Sequence, residues 1–287
     1  MTEVSIIIVS YNTADITLEC IKSVYEKTQG VDFEVIVVDN NSQDGSAAAI
    51  EEAFPLVKVI KCTENLGFGR ANNLGMKDLN SKYILLLNPD TVLKNNAVKI
   101  LFDFMQENPS AGAAGGMLYD IEGRRTHSFG RLPLMKDKLA LTFLPHIFLS
   151  KDMRNKFDLD SLNENRETGY ITGADLMLRR SILEKTGVFD PDFFLYYEET
   201  EFQFRIKKAG YKIYIVPEAE IIHLEGKSLN KKSRREESYK SEYLYYKKCY
   251  KLTKFSLFKL AFFIYLFPRF FSNPKMILRV LKYVLGN

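Results

Sequence analysis

Asp90 closes the run Tyr83-Ile84-Leu85-Leu86-Leu87-Asn88-Pro89-Asp90. A carboxylate at that position can hold a divalent cation against a phosphate. It can equally cap a helix expected from near Lys94. Glu198, Glu199 and Glu201 fall within four positions, behind Phe193-Phe194-Leu195-Tyr196-Tyr197. That apolar lead-in would partly desolvate a carboxylate and raise its basicity, as a general base requires. The competing account is dipole complementation at the start of a helix expected over 198–209. Asp39 can accept a hydrogen bond from a pyrimidine N3–H. Tyr11 can offer a ring face and backbone groups to the same base. Gly67 lets backbone come close to a ligand. His223 ends a short apolar edge, and a lone His is more often structural than a ligand. Asp175, behind Thr172-Gly173-Ala174, is the next carboxylate in line for the base.

These residues need strands and helices to position them. Residues 84–87 are wholly apolar, as a parallel strand buried on both faces would be. Asn88 precedes a proline and is biased to extended backbone, which places Asp90 just past the strand's carboxyl end. Strand patterns also cover 4–9, 33–38 and 57–61. Helices are expected over 14–28, capped by Thr13 or Asp15, then 45–53 and 70–79. Alternation at this spacing implies right-handed βαβ units and a mostly parallel sheet. Polar residues collect after every one of these strands: Ser10, Tyr11 and Asn12; Asp39 and Asn40; Asn65 and Gly67; Asn88 and Asp90. Convergence at the carboxyl edge describes a nucleotide crevice, although turn formers alone would also collect there. No GxGxxG follows the first strand, which argues against a dinucleotide dehydrogenase.

Further on, a helix is expected over 93–105 and strands over 111–119 and 125–129, around a turn at Glu122-Gly123. Residues 133–166 have no clean period and read either as a flap over the site or as a locally helical insert. Strands follow at 212–216 and 217–223.

The chain has 287 residues, 46% hydrophobic and 26% charged, enough for one large α/β domain plus an appendage. Its three cysteines are far apart, which suits packing residues in a reducing compartment better than a disulfide framework or a zinc site. No basic leader precedes the first strand pattern, so a cleaved signal peptide is not expected. Net charge is +4, but residues 227–287 hold 15 Lys+Arg against 3 Asp+Glu, a net of +12, which leaves −8 on the preceding 226. A basic tail on an acidic body points to an anionic partner. The tail opens on Lys231, Lys232, Arg234 and Arg235. It then runs through eight apolar residues, 260–267, far short of the ~20 a spanning helix needs. After Pro274, Met276, Ile277, Val280, Leu281, Val284 and Leu285 share one helical face. Basic, aromatic amphipathic segments of this kind lie in a membrane interface. Packing on the catalytic body or on a second subunit is the alternative. Nucleic acid is not expected, because no supporting motif accompanies the charge.

Taken together, these stretches resemble the family 2 inverting glycosyltransferases. The resemblance rests on Ser10-Tyr11-Asn12, on 38–46 from Val38-Asp39-Asn40, and on 65–75 from Asn65-Leu66-Gly67. Leu87-Asn88-Pro89-Asp90-Thr91 looks like the DxD motif as the rhamnosyltransferase branch carries it. Thr172-Gly173-Ala174, Tyr197-Glu198-Glu199-Thr200-Glu201 and His223-Leu224-Glu225-Gly226-Lys227-Ser228 match that branch's later motifs. The resemblance covers about 4–228. It implies a GT-A fold, that is, a Rossmann-like, mostly parallel sheet with helices on both faces, here followed by a C-terminal amphipathic helical extension. The catalytic domain would be 1–226 and the membrane-associating tail 227–287. Ser10, Tyr11, Asn12, Asp39, Asn65, Gly67, Asn72 and Asn88 would meet the donor nucleotide, with Asp39 reading its base. Asp90 and His223 would bind Mg²⁺ or Mn²⁺. Glu199 falls on the second residue of the family's Glu-Asp pair, the catalytic base, although it is Glu here. Glu198 and Asp175 would flank the acceptor.

The implied reaction moves L-rhamnose from dTDP-L-rhamnose to a lipid-linked or polysaccharide acceptor, at the cytoplasmic face of the cell membrane. A UDP-hexose donor is the alternative, since thymine and uracil offer Asp39 the same N3–H. A membrane scaffold that binds nucleotide sugar without turnover is a third reading.

Overall fold

Ile6, Ile7 and Ile8 are all buried, yet they face opposite ways. Side chains alternate along a strand, so Ile6 and Ile8 join one core and Ile7 another. Leu85 and Leu87 likewise separate from Ile84 and Leu86. The computed structural model describes residues 2–143, 159, 161–224, 231–250, 252–271 and 273–286.

Strands β1 (Val4–Ser10), β2 (Phe33–Asp39), β3 (Lys58–Lys61) and β4 (Tyr83–Leu87) pair in parallel in the order β3-β2-β1-β4. The sheet continues through β10 (Asp175–Arg179), β6 (Ala111–Tyr119), β11 (Lys212–His223) and β5 (Thr91–Leu93). β10 runs antiparallel between β4 and β6, while β11 lies parallel to β6. β8 (Arg166–Glu167) adds to β11, and β7 (Phe129–Gly130) with β9 (Tyr170–Ile171) forms a separate two-stranded ribbon.

Helices α1 (Ala14–Lys27), α2 (Ser46–Ala53) and α4 (Ala97–Glu107) cover the face of Ile6 and Leu85. Helices α3 (Gly67–Gly75) and α6 (Glu198–Lys208) cover the face of Ile7 and Leu86. This is the mostly parallel sheet with helices on both faces that the alternating pattern implies.

Four local expectations change. Residues 91–93 form β5, an edge strand on β11, and the helix starts only at Ala97. Asp90 therefore caps no helix. Residues 212–223 make one strand whose register on β6 shifts between Val216 and Glu220, not two strands. The pattern over 125–129 yields an isolated bridge, Tyr119–Arg125, and the short β7. Neither Thr13 nor Asp15 caps α1 through its side chain; Asp44 accepts from the Ala14 amide instead (3.1 Å).

Part of the irregular stretch, Met135–Phe143, is helix α5. Residues 144–158 and 160 of it, with Ile147 and Leu149, lie outside the described residues, as does the motif from Glu225 to Ser228. Of the basic cluster Lys231, Lys232, Arg234 and Arg235, only the Arg235 side chain is among those described.

The tail forms α7 (Lys231–Cys249), α8 (Leu252–Phe270) and α9 (Pro274–Gly286). Met276, Ile277, Val280 and Val284 of the expected α9 face are buried and Leu281 partly so, whereas Leu285 is exposed. They share a third core with Tyr243, Tyr245, Phe258 and Phe262. Met135, Phe193, Tyr197 and Phe204 of the body enter that core too, so the tail packs on the α/β body. Its outer side stays apolar: Leu260, Ile264, Phe267 and Phe271 are 54, 42, 65 and 74% exposed. Among the described residues, no helix is long and apolar enough to cross a membrane.

Candidate active site

The parallel strands deliver their carboxyl ends side by side. Ser10 is in register with Asp39, and Ile8 with Leu87. The Ser10 hydroxyl is buried against Thr13 and Thr17 (3.1 and 3.0 Å), so it shapes the turn into α1. Asn12 adopts a left-handed backbone (φ 53°). Its amide donates to Ser42 Oγ (3.0 Å), and its side-chain oxygen accepts from the Gln43 amide (2.7 Å). The two loops are thereby tied together, and Tyr11 is left half-exposed between them. Asp39 is buried; its Oδ2 accepts from the Ser42 amide (3.1 Å). Its Oδ1 is buried with no partner among the described residues. A desolvated acceptor without a donor is costly, and a base N–H would relieve it.

The loop after β3 is built by amides. Asn40 Nδ2 donates to Asn65 Oδ1 (3.0 Å) and to the Gly67 carbonyl (3.2 Å), and Asn40 Oδ1 accepts from the Leu66 amide (2.7 Å). Asn65 Oδ1 also accepts from the Gly67 amide (2.9 Å). Asn72 is buried and donates to the Phe68 carbonyl (3.0 Å). The side chains of Asn65 and Asn72 thus serve their own loop and helix. Gly67 (φ +75°) does permit a close approach, but by protein: the Phe194 carbonyl lies 2.2 Å from where its Cβ would stand. The Phe68 amide donates to that carbonyl (3.0 Å), which locks the loop to the segment leading into α6.

Asp90 and His223 meet across β5 and β11, where His223 pairs with Thr91. His223 Nε2 lies 3.2 Å from Asp90 Oδ1 and 3.5 Å from Asn88 Nδ2. The Leu224 amide donates to the Asp90 carbonyl (2.9 Å), and Thr91 Oγ1 donates to the Asn88 carbonyl (2.7 Å), which fixes the turn. One carboxylate oxygen and one imidazole nitrogen suit a hard divalent cation. No group of three or more His, Cys, Asp or Glu that could hold a metal occurs among the described residues. A cation here would draw its remaining ligands from phosphate and water, as Mg²⁺ does with nucleotides.

Glu198 and Glu199 open α6 after two left-handed residues, Tyr196 (φ 69°) and Tyr197 (φ 65°). This turn points the neighbours apart. Glu198 is buried near Gly69, and its Oε2 has no partner among the described residues. Glu199 is half-buried, close to Gly173 and accepting from Thr200 Oγ1 (3.1 Å). Phe68 packs against Gly173 as well. The next residue, Ala174, accepts from the Asn88 amide (2.9 Å). Thr172-Gly173-Ala174 therefore bridges the base candidate to the metal turn.

Burial raises the affinity of both carboxyls for protons, and the charge of Glu199 raises that of Glu198 further. Both carboxyls are therefore held above the ordinary carboxylate value, Glu198 well above it. Burial and then the Glu199 charge push the Tyr170 phenol up to about 12. Glu201 pairs with Arg205 (2.8 Å) and is structural. Asp175 is fully buried, accepts from the Gly116 amide and is driven well upward by burial. With no exposed surface, it is out of reach of a solvent-facing hydroxyl.

Three contributors were not assigned roles from sequence: Asn40, Tyr170 and the Phe194 carbonyl. Asn40 is visible among the polar residues after the second strand, a position that suits a crevice residue and a turn former alike. Nothing local marks the other two, because each acts on a residue far along the chain.

A family model described as Glycosyl transferase family 2 matches residues 5–187. N-acetylglucosaminyl-diphospho-decaprenol L-rhamnosyltransferase of Mycobacterium tuberculosis (strain CDC 1551 / Oshkosh) is 27% identical over 201 residues, 66% of each chain. Rhamnosyltransferase WbbL of Escherichia coli (strain K12) is 23% identical over 166 residues, 55% of this chain and 60% of that one. The chain thus matches about two thirds or less of the length of these curated relatives. Among solved structures, mannosyltransferase PcManGT from Pyrobaculum calidifontis, in complex with GDP-Man and Mn²⁺, superposes with a TM-score of 0.60 at 16% identity. That match covers 99% of this chain and 73% of the other.

Proposed function

The chain belongs to glycosyl transferase family 2 and has the GT-A fold, and from that premise we propose an inverting, metal-dependent transfer of L-rhamnose from dTDP-L-rhamnose to a lipid-linked or polysaccharide acceptor in cell-surface glycan synthesis. One observation carries this reading. The sheet edge gathers Asp39, one oxygen of which has no partner among the described residues, and Asp90 beside His223, with the half-buried Glu199 against Gly173 nearby.

Asp39 Oδ1 accepts the N3–H of the base, and Tyr11 lies alongside. Asp90 and His223 hold Mg²⁺ or Mn²⁺, with Asn88 next to the same imidazole. A bound cation supplies charge compensation for the departing nucleoside diphosphate. Glu199 takes the proton of the acceptor hydroxyl as that oxygen attacks C1 from the face opposite the leaving group. Configuration therefore inverts. Glu198 lies buried behind it, against Gly69. Support for rhamnose as the sugar comes from the names of the two curated relatives.

We place the enzyme on the inner face of the cytoplasmic membrane, held peripherally by its tail. The exposed α8 stripe and the +12 charge of residues 227–287 support this.

Thermal unfolding with Mn²⁺ and a panel of dTDP-L-rhamnose, UDP-glucose and GDP-mannose tests the donor and the metal. A ligand at 100 times its Kd adds about 2.7 kcal/mol. The largest shift is expected with dTDP-L-rhamnose, and both EDTA and Asp90→Ala should remove it. Protection by UDP-glucose alone would move the donor to a UDP-hexose. Full protection in EDTA would remove the metal from the mechanism.

A further inference from the structure

Ile171 lies in the two-stranded ribbon, where β9 pairs with β7 alone among the described residues. A side chain of α6, not a strand, supplies its next partner. The Ile171 amide donates to Gln203 Oε1 (2.8 Å), and Gln203 Nε2 donates to the Ile171 carbonyl (2.7 Å). A primary amide carries both a donor and an acceptor, so it can pair with the two backbone groups of one residue as a neighbouring strand would. The same nitrogen donates to the Glu199 carbonyl (3.1 Å), one turn back on α6. Gln203 has no exposed surface. It is also neutral, so it holds the base helix without adding a charge beside the Glu199 carboxylate. A buried backbone group stripped of its partner is costly, so the three bonds give Ile171 one place against α6.

The residues after Ile171 join the two halves of the site. The Thr172 amide donates to the Ser128 carbonyl (3.0 Å), and the Ala174 carbonyl accepts from the Asn88 amide (2.9 Å). Between them, a Cβ on Gly173 would stand 3.2 Å from the Phe68 ring and 3.8 Å from Glu199 Cγ. The segment therefore passes directly beside the base and then bonds the turn that carries Asp90. We propose that Gln203 is a positioning residue. It fixes 171–174 to α6 and thereby sets where the Glu199 carboxylate stands relative to the metal turn. Fully buried, it meets no substrate and acts through Glu199 and Asn88. The assignment rests on the transferase reading above and adds the residue that couples its base to its metal site.

The test compares full-chain wild type with Gln203→Met, which removes donor and acceptor, and Gln203→Asn, which keeps both on a side chain one methylene shorter. Leu101→Val, in the core on the opposite face of the sheet, controls for lost stability. Release of dTDP from dTDP-L-rhamnose with Mn²⁺ gives kcat, and thermal protection gives donor affinity. Gln203→Met should lose at least tenfold in kcat with donor affinity within twofold of wild type. Gln203→Asn should lose less, and Leu101→Val should keep its kcat. Amide hydrogen exchange reads the coupling without turnover. Exchange at Ile171 and at Asn88 should quicken at least tenfold in Gln203→Met and at least threefold in Gln203→Asn, and not in Leu101→Val. Unchanged kcat in Gln203→Met, a matching loss in Leu101→Val, or exchange that quickens at Ile171 alone overturns the proposal. Should Gln203→Met fail to fold, Gln203→Asn against Leu101→Val decides in the same way. If no protein releases dTDP, wild type included, the transferase reading fails, and exchange at Asn88 still decides the coupling.

Discussion

Glu198 and Glu199 are identical in chemistry and adjacent in sequence, yet one is buried and the other half-buried. The difference comes from Tyr196 and Tyr197, whose left-handed backbone sets the entry angle of α6. A left-handed non-glycine residue costs about 1–3 kcal/mol, and two stand in succession just before Glu198 and Glu199. Burial lifts Glu198 well above its ordinary value of 4.5. Folded protein then binds more protons at this residue than unfolded chain does. The stability it permits is fully present below 4.5 and falls as pH rises through the window above. Wild-type melting temperature should therefore drop from pH 5 to pH 8 more than that of Glu198→Gln. Equal slopes for the two proteins would mean that Glu198 is not desolvated. At this scale the sequence exposed the residue types but not their orientation. Asn65 and Asn72 read as donor contacts, and in the structure the Asn65 side-chain oxygen also accepts from Asn40 and the Gly67 amide while the Asn72 side-chain nitrogen donates to the Phe68 carbonyl. An amide side chain satisfies a backbone group or a ligand with the same atoms, so type and spacing cannot separate the two.

Among the elements, β1, β2 and β4 were legible because each is a short apolar run with a polar stop. β5 was not. Thr91-Val92-Leu93 continues into a helical pattern, and only its distant partner, residues 221–223 of β11, makes it a strand. That pairing matters for the site, since it brings His223 to Asp90. The tail helices were expected as amphipathic pieces, and the membrane reading took their apolar faces for lipid. The structure divides those faces, burying one side on the body and leaving the other outward. A buried ion pair holds the junction. Lys138 of α5 meets Glu242 of α7 at 2.6 Å, 9% and 12% exposed, with the ammonium 3.4 Å from the centre of the Tyr265 ring. Burial lowers the pKa of Lys138, and Glu242 opposes that shift. Removing one partner strands a charge, which costs about 3–5 kcal/mol, whereas replacing both with apolar groups is often neutral. Lys138→Met should lower the denaturation midpoint accordingly, and Lys138→Met with Glu242→Leu should restore most of it. A neutral single variant would mean that the pair is solvated and the tail is docked by other contacts.

Over the whole molecule, charge and apolar surface are segregated. The first 226 residues carry −8 and the last 61 carry +12. Leu260, Ile264 and Phe267 fall at helical spacing along the outward side of α8, and the exposed Phe271 follows its end. The charge asymmetry was legible in composition. Which tail residues face outward was not, because that depends on how α8 lies on α5 and α7. Phe267→Asp with Phe271→Asp should reduce binding to phosphatidylglycerol vesicles at least tenfold without changing the melting temperature. Unchanged vesicle binding would assign the stripe to something other than lipid.

The claim that organises the site is that Glu199 is the base while donor affinity resides in the β1, β2 and β4 loops and the metal turn. Measuring kcat and dTDP-L-rhamnose affinity for Glu199→Gln tests it directly. The variant keeps the size of the side chain and cannot accept a proton at neutral pH. Turnover should fall by about 10²–10⁴, with donor affinity within twofold of wild type. Full turnover in Glu199→Gln, or a loss confined to donor affinity, would contradict the account.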